Sequence, residues 1–498
     1  MGRPVRMNYQ ELLHQAFDLH QSGRLREAIA DYRRVLAAQP DNPNALNLAG
    51  VAHAALGEAG EAAALLERCT RAAPGFADAH ANLGLAYRAL GRHEDALRAQ
   101  RRVLELIPGN APALNALGVS LRRLGRYGEA VCSFEQAIAA EPAAGDAHAN
   151  LGNVLQDLDR MDEAVASYRE ALARGARAAS VYRGLGNALQ RLHRFDEAIE
   201  AYRDALARDP DYVPALTDLG GALVEAGRAA QGAVHLRAAA QRAPNDPIVH
   251  SNLGMALHDS GDTDGALAAF EHALALDPGN THALAYQGIT LHATGARECW
   301  RWLTGLDRLV REMPLPLPPR YASVAALNEA LAEHARAHPS VWQGRRRGIS
   351  SELFLDGDGP PLALRDSLRE AVQRYIDELP EDRAHPFVAR RPRRYLLSGW
   401  CNVLDEGAAA HVHPNAWLSG AYYVRTEGVV GDAVDDLSGC LQVGAPDPEH
   451  YATQDYEVRV FRPREGYLVV FPSYVWHRIL PFAKRGTRIS YAFDVVPV

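Results

Sequence analysis

The chain is 498 residues long, with 47% hydrophobic and 23% charged residues, the make-up of an ordinary globular protein rather than a disordered one. At roughly 100–200 residues per domain, that length holds about two to four domains, or one long repeat array plus a domain. A net charge of −8 argues against a general nucleic-acid-binding face, and no apolar run approaches the roughly 18–20 residues of a membrane span.

The opening segment, MGRPVRMNYQELLHQ, lacks the apolar stretch of a secretory signal. Its sixth position is not Ser or Thr, which weakens a myristoylation reading. Five cysteines (Cys69, Cys132, Cys299, Cys401 and Cys440) form neither a disulfide framework nor a CxxC pair. The expectation is a cytoplasmic protein that binds neither nucleic acid nor membrane.

From the N-terminus the sequence keeps one period. Prolines stand at 40, 74, 108, 142, 210, 244 and 278, with Ala176 filling the single gap. Glycines 50, 84, 118, 152, 186, 220, 254 and 288 repeat on the same 34-residue ruler. A third register reads Gly23, Gly57, Gly91, Gly125, Asp159, His193, Gly227, Gly261 and Gly295, and a fourth holds alanine from Ala28 to Ala266, except for Gly232.

Such a unit is a helix–turn–helix. A small residue lets the first helix press on the second, the next register sits in a turn that favours positive φ, and proline ends the second helix. The pattern resembles the tetratricopeptide repeat. It predicts eight repeats and a final helix over 7–295, with a peptide or protein ligand in the concave face.

Asn82, Asn150 and Asn252 share one register inside the array, with Asp218 at the same place. In the repeat domain of O-GlcNAc transferase, which the array resembles, such a ladder of asparagines grips an extended peptide backbone. That resemblance makes these three asparagines substrate-binding candidates, although Leu48, Ala116, Gly184 and Tyr286 interrupt the ladder. His80, His148 and His250 occupy the register of a bulky packing residue. They are a whole repeat or more apart, so core packing is the expectation rather than metal binding.

The period stops after Gly295. Residues 298–313 read as a helix, followed by the Pro-rich hinge 314–321. Segments 322–338 and 363–379 have amphipathic helical spacing, separated by the loop-like DGDGPP at 356–361. The basic clusters RRR (345–347) and RRPRR (390–394) are short and lack interleaved aromatics, so they read as solvated loops or as docking contacts to the array. Residues 296–393 are therefore a helical bridge.

From 394 the texture changes to short β-rich runs at 394–404, 417–424, 439–443, 456–461, 467–471 and 488–496, separated by turn residues. Strands at this spacing predict a small barrel or jelly roll over 394–498. The fold class is thus α + β and multidomain: an all-α superhelix, a bridge, and a jelly roll.

Chemistry concentrates in the jelly roll. His411 and His413 are two apart, so an extended backbone turns both rings to one face. His477 follows 66 residues after His411, enough chain to cross the fold and return. Three imidazoles, or two with a carboxylate, on one side of a metal leave its other side open, as in non-haem iron oxygenases. Arg488 and Ser490 share a strand face further on, and a guanidinium beside a hydroxyl suits a carboxylate.

The runs HVHPNAWLSGAYYV (411–424), FPSYVWHRILPF (471–482) and RISYAF (488–493) resemble the 2-oxoglutarate–Fe(II) oxygenases that share HxHPNxxLSGxYY, FPSxxxH and RIS runs in this order. The resemblance implies a double-stranded β-helix, ferrous iron, 2-oxoglutarate and dioxygen. It also implies that Arg488 grips the far carboxylate of 2-oxoglutarate, with Ser490 and a tyrosine of the pair Tyr422 and Tyr423 as helpers.

The wider superfamily places Asp or Glu where this chain has His413. Either three histidines hold the metal, or His411 and His477 do so with water or a more distant acid such as Asp405 or Glu406. Asn402 is a candidate for the co-substrate or substrate. Trp417 and Trp476 flank the site, where core filling competes with substrate stacking. Asp432, Asp435, Asp436 and His450 read as solvent-exposed, and Cys440 has no nearby base.

The leading expectation is a 2-oxoglutarate- and Fe(II)-dependent dioxygenase that hydroxylates a peptide or protein recruited by the repeats. A small-molecule or carrier-bound substrate is one alternative, and a non-catalytic scaffold with a degenerate oxygenase domain is the other. Oligomeric state is open.

Overall fold

The structure, a computed structural model, describes residues 8–337, 348–349, 359–404, 407–426, 429–430, 435–446, 455–482 and 488–498. It divides into two compact units, residues 1–226 and 227–498. Asp405, Glu406, Asp432, His450, the RRR cluster and residues 356–358 of the DGDGPP loop lie outside the described residues.

The first unit is built of antiparallel helix pairs of 13–14 residues each, from Tyr9–Gln21 to Val213–Glu225. The registers seen in the sequence each have a mechanical role. Gly23, Gly57, Gly91 and Gly125 all have positive φ in the inter-helix turn, and Asp159 (φ 61°) and His193 (φ 57°) hold the same conformation without being glycine. Several helix-face glycines admit a large side chain sixteen residues on, Leu66 at Gly50 and a ring at others: a Cβ at Gly118 would stand 2.6 Å from Phe134, and one at Gly186 would stand 2.5 Å from Tyr202.

The second unit continues with the helices Ala229–Arg242, Pro247–Asp259, Thr263–Leu276 and Thr281–Ala293. The helix expected over 298–313 is shorter and is broken twice. It runs Arg297–Thr304, stops at Gly305 in the left-handed conformation (φ 55°), resumes for Leu306–Leu309, and gives way to strand β1 (Arg311–Pro314). The left-handed glycine ends the helix, and the extended residues after Val310 find partners in a sheet. Two longer helices follow, Val324–Ala337 and Pro360–Asp377.

The remaining strands are β2 (Gly348–Ile349), β3 (Tyr395–Leu404), β4 (Ala408–His411), β5 (Leu418–Arg425), β6 (Leu441–Val443), β7 (Arg459–Phe461), β8 (Tyr467–Pro472), β9 (His477–Ile479) and β10 (Arg488–Pro497). They form two antiparallel sheets, ordered β1-β8-β5-β10-β3-β2 and β4-β9-β6-β7, the two-sheet plan of a jelly roll.

Strand β10 shows how the sequence sorts the faces. Ile489, Tyr491, Phe493 and Val495 are buried in the core, and the Tyr491 hydroxyl donates to Leu331 O on the helix Val324–Ala337. By the two-residue period, Arg488, Ser490, Ala492 and Asp494 share the opposite face. One hydrophobic core joins Leu284, Trp300 and Leu303 to Tyr375, Phe387, Trp417, Tyr474 and the sheet residues, so the last long repeat helix is packed into the same body as the strands.

Candidate metal centre

His411 ends β4 and His477 begins β9, and the two are direct partners in the antiparallel pairing. The register of that pair shifts between Ala408 and His411, a local irregularity that re-aims the strand end. His413 lies two residues on, its backbone N–H bonded to Ser473 O at 3.0 Å. The ring centroids are 4.3 Å apart for His411–His477, 5.0 Å for His413–His477 and 5.2 Å for His411–His413. One ring nitrogen from each lies within 4.8 Å of the others, a group that can hold a metal ion.

The ring protons fit that use. His411 Nδ1 donates to Ala409 O at 3.0 Å, His413 Nδ1 to Asp494 Oδ1 at 2.7 Å, and His477 Nδ1 to Val475 O at 3.3 Å. An imidazole that spends its Nδ1 proton on an acceptor presents the Nε2 lone pair, the pairing that metal-bound histidines characteristically make. Burial, with His411 and His413 alongside, lowers the pKa of His477 well below the ordinary histidine value. The ring is therefore neutral, as a ligand must be. His411 is exposed, His413 half-buried and His477 buried, so the cluster opens on the His411 side.

Arg488 is only 1% exposed. Its guanidinium donates to Gly439 O at 3.2 Å, its Nε has no partner among the described residues, and no carboxylate there pairs with it. Its guanidinium carbon stands 5.3 Å from the centre of the Tyr423 ring, and the buried Tyr423 hydroxyl interacts with the same guanidinium. Burial raises the Tyr423 pKa to about 12 and lowers that of the Arg488 guanidinium. A buried cation without a counter-ion is costly, and a guanidinium with an unpartnered Nε beside a buried hydroxyl is the donor set for a carboxylate.

Ser490 is paired with Asn402 on one side and with Tyr423 on the other, so these three form one row across β3, β10 and β5. Tyr422 points the other way and donates to Asn328 Oδ1 at 2.6 Å. Trp417 sits in the core, its ring stacked on Phe387 at 4.2 Å and its indole N–H bonded to Phe387 O. Trp476, beside His477, meets the edge of Tyr286 at 5.7 Å, and Thr281 Oγ1 donates to the carbonyl of Pro414, beside His413, at 2.6 Å. The helix Thr281–Ala293 thus touches both neighbours of metal-site histidines.

Asn82 and Asn150 each spend one amide N–H between repeats, on Asn47 Oδ1 and Asn115 Oδ1, both at 3.0 Å. Asn252 is half-buried. Arg390 of the RRPRR cluster donates to Pro278 O, a contact to the last proline of the repeat register. Asp435 and Asp436 are exposed. The sequence reading did not single out Asp494, Ser419 or Trp400. Ser419 Oγ donates to Asp494 Oδ1 at 2.6 Å, and the Trp400 ring lies 5.5 Å from that of His413. The signal for Asp494 was its even spacing from Arg488 and Ser490.

Residues 398–494 match the family model described as Putative 2OG-Fe(II) oxygenase. Tetratricopeptide-repeat models match residues 18–57, 76–141, 144–211, 189–254 and 247–280. The chain joins tetratricopeptide repeats to a 2OG-Fe(II) oxygenase domain, a family that implies Fe(II), 2-oxoglutarate and dioxygen.

No curated protein matches the chain. Among solved structures it is similar to the APC/C hetero-tetramer Cut9–Hcn1, at 17% identity over 56% of this chain and 55% of that one, with a TM-score of 0.43. It is also similar to YrrB, described as a TPR protein with an unusual peptide-binding site, at 19% identity over 38% of this chain and 97% of that one, TM-score 0.34. A third is a thermophilic TPR protein of Thermus thermophilus, at 25% identity over 37% of this chain and all of that one, TM-score 0.31. The chain spans about half the length of the first of these.

Proposed function

We propose that this protein is a 2-oxoglutarate- and Fe(II)-dependent oxygenase that hydroxylates a peptide or protein recruited by its repeats. The observation that carries the reading is the convergence of three imidazoles, each with its Nδ1 proton spent on an acceptor. The same jelly roll holds a buried arginine that no carboxylate of the described residues neutralises.

In this reading His411, His413 and His477 hold the metal. Arg488 takes the far carboxylate of 2-oxoglutarate, helped by the hydroxyls of Tyr423 and Ser490, with Asn402 on the same row. When bound, Fe(II), 2-oxoglutarate and dioxygen supply the oxidising chemistry that amino-acid side chains lack. The chain's own work is positional. The jelly roll keeps the His477 ring neutral, buries the cation that grips the co-substrate, and leaves the His411 side open to substrate.

The division of labour follows the proposed domains: residues 7–295 recruit, 296–393 support, and 394–498 react. Recruitment by Asn82, Asn150 and Asn252 rests on their shared register. A cytoplasmic setting agrees with the free state of all five cysteines and with the absence, among the described residues, of any helix long and apolar enough to cross a membrane.

The test is succinate formation from 2-oxoglutarate by the Fe(II)-loaded chain in air, with and without a tryptic peptide library. Turnover that peptides stimulate, with a product about 16 mass units heavier (one added oxygen), supports the reading. Turnover that only small molecules stimulate would move the substrate class, and no turnover at all would remove the enzyme reading.

A further inference from the structure

We propose that Asp494 is a positioning residue for the metal, binding His413 from behind and returning to the site the negative charge that His413 displaced from the ligand set. The proposal rests on the metal-site reading above. It begins with an oddity of the sequence: the position that usually supplies a carboxylate ligand supplies an imidazole, so three neutral rings face a divalent cation.

The structure places a carboxylate one layer out. Asp494 Oδ1 accepts the Nδ1 proton of His413 at 2.7 Å, the shortest of the three Nδ1 contacts and the only one of them made to a formal charge. A carboxylate on the far nitrogen fixes the tautomer and the ring plane, and makes the near nitrogen a stronger donor.

The fold holds this contact in place. Asp494 shares its face of β10 with Arg488 and Ser490 and directly opposes Ser419 on β5. Ser419 donates to the same oxygen at 2.6 Å and lies 3.0 Å from Ser473 Oγ. Ser419 and Ser473 are fully buried, and Ser473 O accepts the backbone N–H of His413. His413 is therefore held at its ring and at its backbone by one connected polar group. Among the described residues Asp494 has no arginine or lysine partner; its ion-pair contact is His413.

The experiment is anaerobic titration of the full-length apoprotein with Co(II), followed by its ligand-field absorption. Removing such an outer partner costs about 10- to 100-fold in metal affinity, so Asp494→Asn should weaken Co(II) binding by that factor and shift the band. In a His413→Ala background the same change should cost nothing further, because Asp494 acts through that ring. Asp494→Glu keeps the charge and should bind more tightly than Asp494→Asn. It also serves if the Asn variant does not fold, in which case it must outbind His413→Ala.

Wild-type affinity and an unshifted band in Asp494→Asn would overturn the proposal, as would an equal loss in the His413→Ala background. Failure of the wild-type chain to bind Co(II) would overturn the metal-site reading itself and this proposal with it.

Discussion

Arg488 offers a prediction with opposite signs for stability and for binding. Replacing it by methionine removes a guanidinium that is 1% exposed, donates a hydrogen bond at 3.2 Å and has no carboxylate partner among the described residues. The lost hydrogen bond costs about 0.5–1.5 kcal/mol, somewhat more for a charged donor. Against this, an uncompensated buried charge carries several kcal/mol of desolvation, and apolar replacements of similar volume are neutral or stabilising by about 1–4 kcal/mol. The apoprotein should therefore keep its stability or gain up to about 3 kcal/mol. At roughly 2–4 °C per kcal/mol for a unit of this size, its melting point should hold or rise by several degrees.

Binding should move the other way. In the Fe(II)-loaded wild type, 2-oxoglutarate at a hundred times its Kd adds about 2.7 kcal/mol, and this increment should vanish in Arg488→Met. Differential scanning calorimetry of both proteins, with and without the keto acid, reads all four values. A clear fall in the melting point of the Arg488→Met apoprotein would refute the reasoning, because it would make the arginine a structural group.

Three further outcomes test other parts of the account. His385 is fully buried, its Nε2 donating to the carbonyls of Trp302 and Leu303 and its Nδ1 accepting from the Phe387 N–H. Burial lowers its pKa below 6.5, so the unfolded chain binds the proton more readily. Stability should fall as pH drops below about 6.5, and urea titrations should show the slope shrinking in His385→Gln. Gly420→Ala should destabilise the jelly roll by roughly 1–3 kcal/mol, since the added Cβ would lie 2.5 Å from the Phe493 ring and 2.9 Å from Val469 O. His193→Gly should raise the melting point, read with chemical denaturation, because relieving a left-handed residue (φ 57°) recovers about 1–2 kcal/mol against a glycine entropy cost of about 0.5–1 kcal/mol.

What the sequence disclosed and what it hid divide along a physical line. Features that repeat were legible: Asp159 and His193 stand in the glycine register and share its positive φ, and the helix-face glycines from Gly50 to Gly186 each meet a close neighbour on the paired helix. Features set by one long-range pairing were not. The helix expected through 313 turns into strand β1 because β8, far along the chain, pairs with it. The histidine cluster was legible because HxH and a later histidine carry their own chemistry. Asp494 was not, since only the β10–β5 register brings it against Ser419 and His413. Nor was the second use of the array histidines: His80 and His250 reach the loop carbonyls of Pro74 and Pro244 six residues back, a contact that packing arguments overlook.

The most direct test of the central claim is anaerobic addition of Fe(II) and then 2-oxoglutarate to the purified apoprotein, read as visible absorption. The expected result is a weak charge-transfer band that needs both additions, is lost in His477→Ala and is lost or strongly weakened in Arg488→Ala. A protein that retains no iron and shows no band would contradict it.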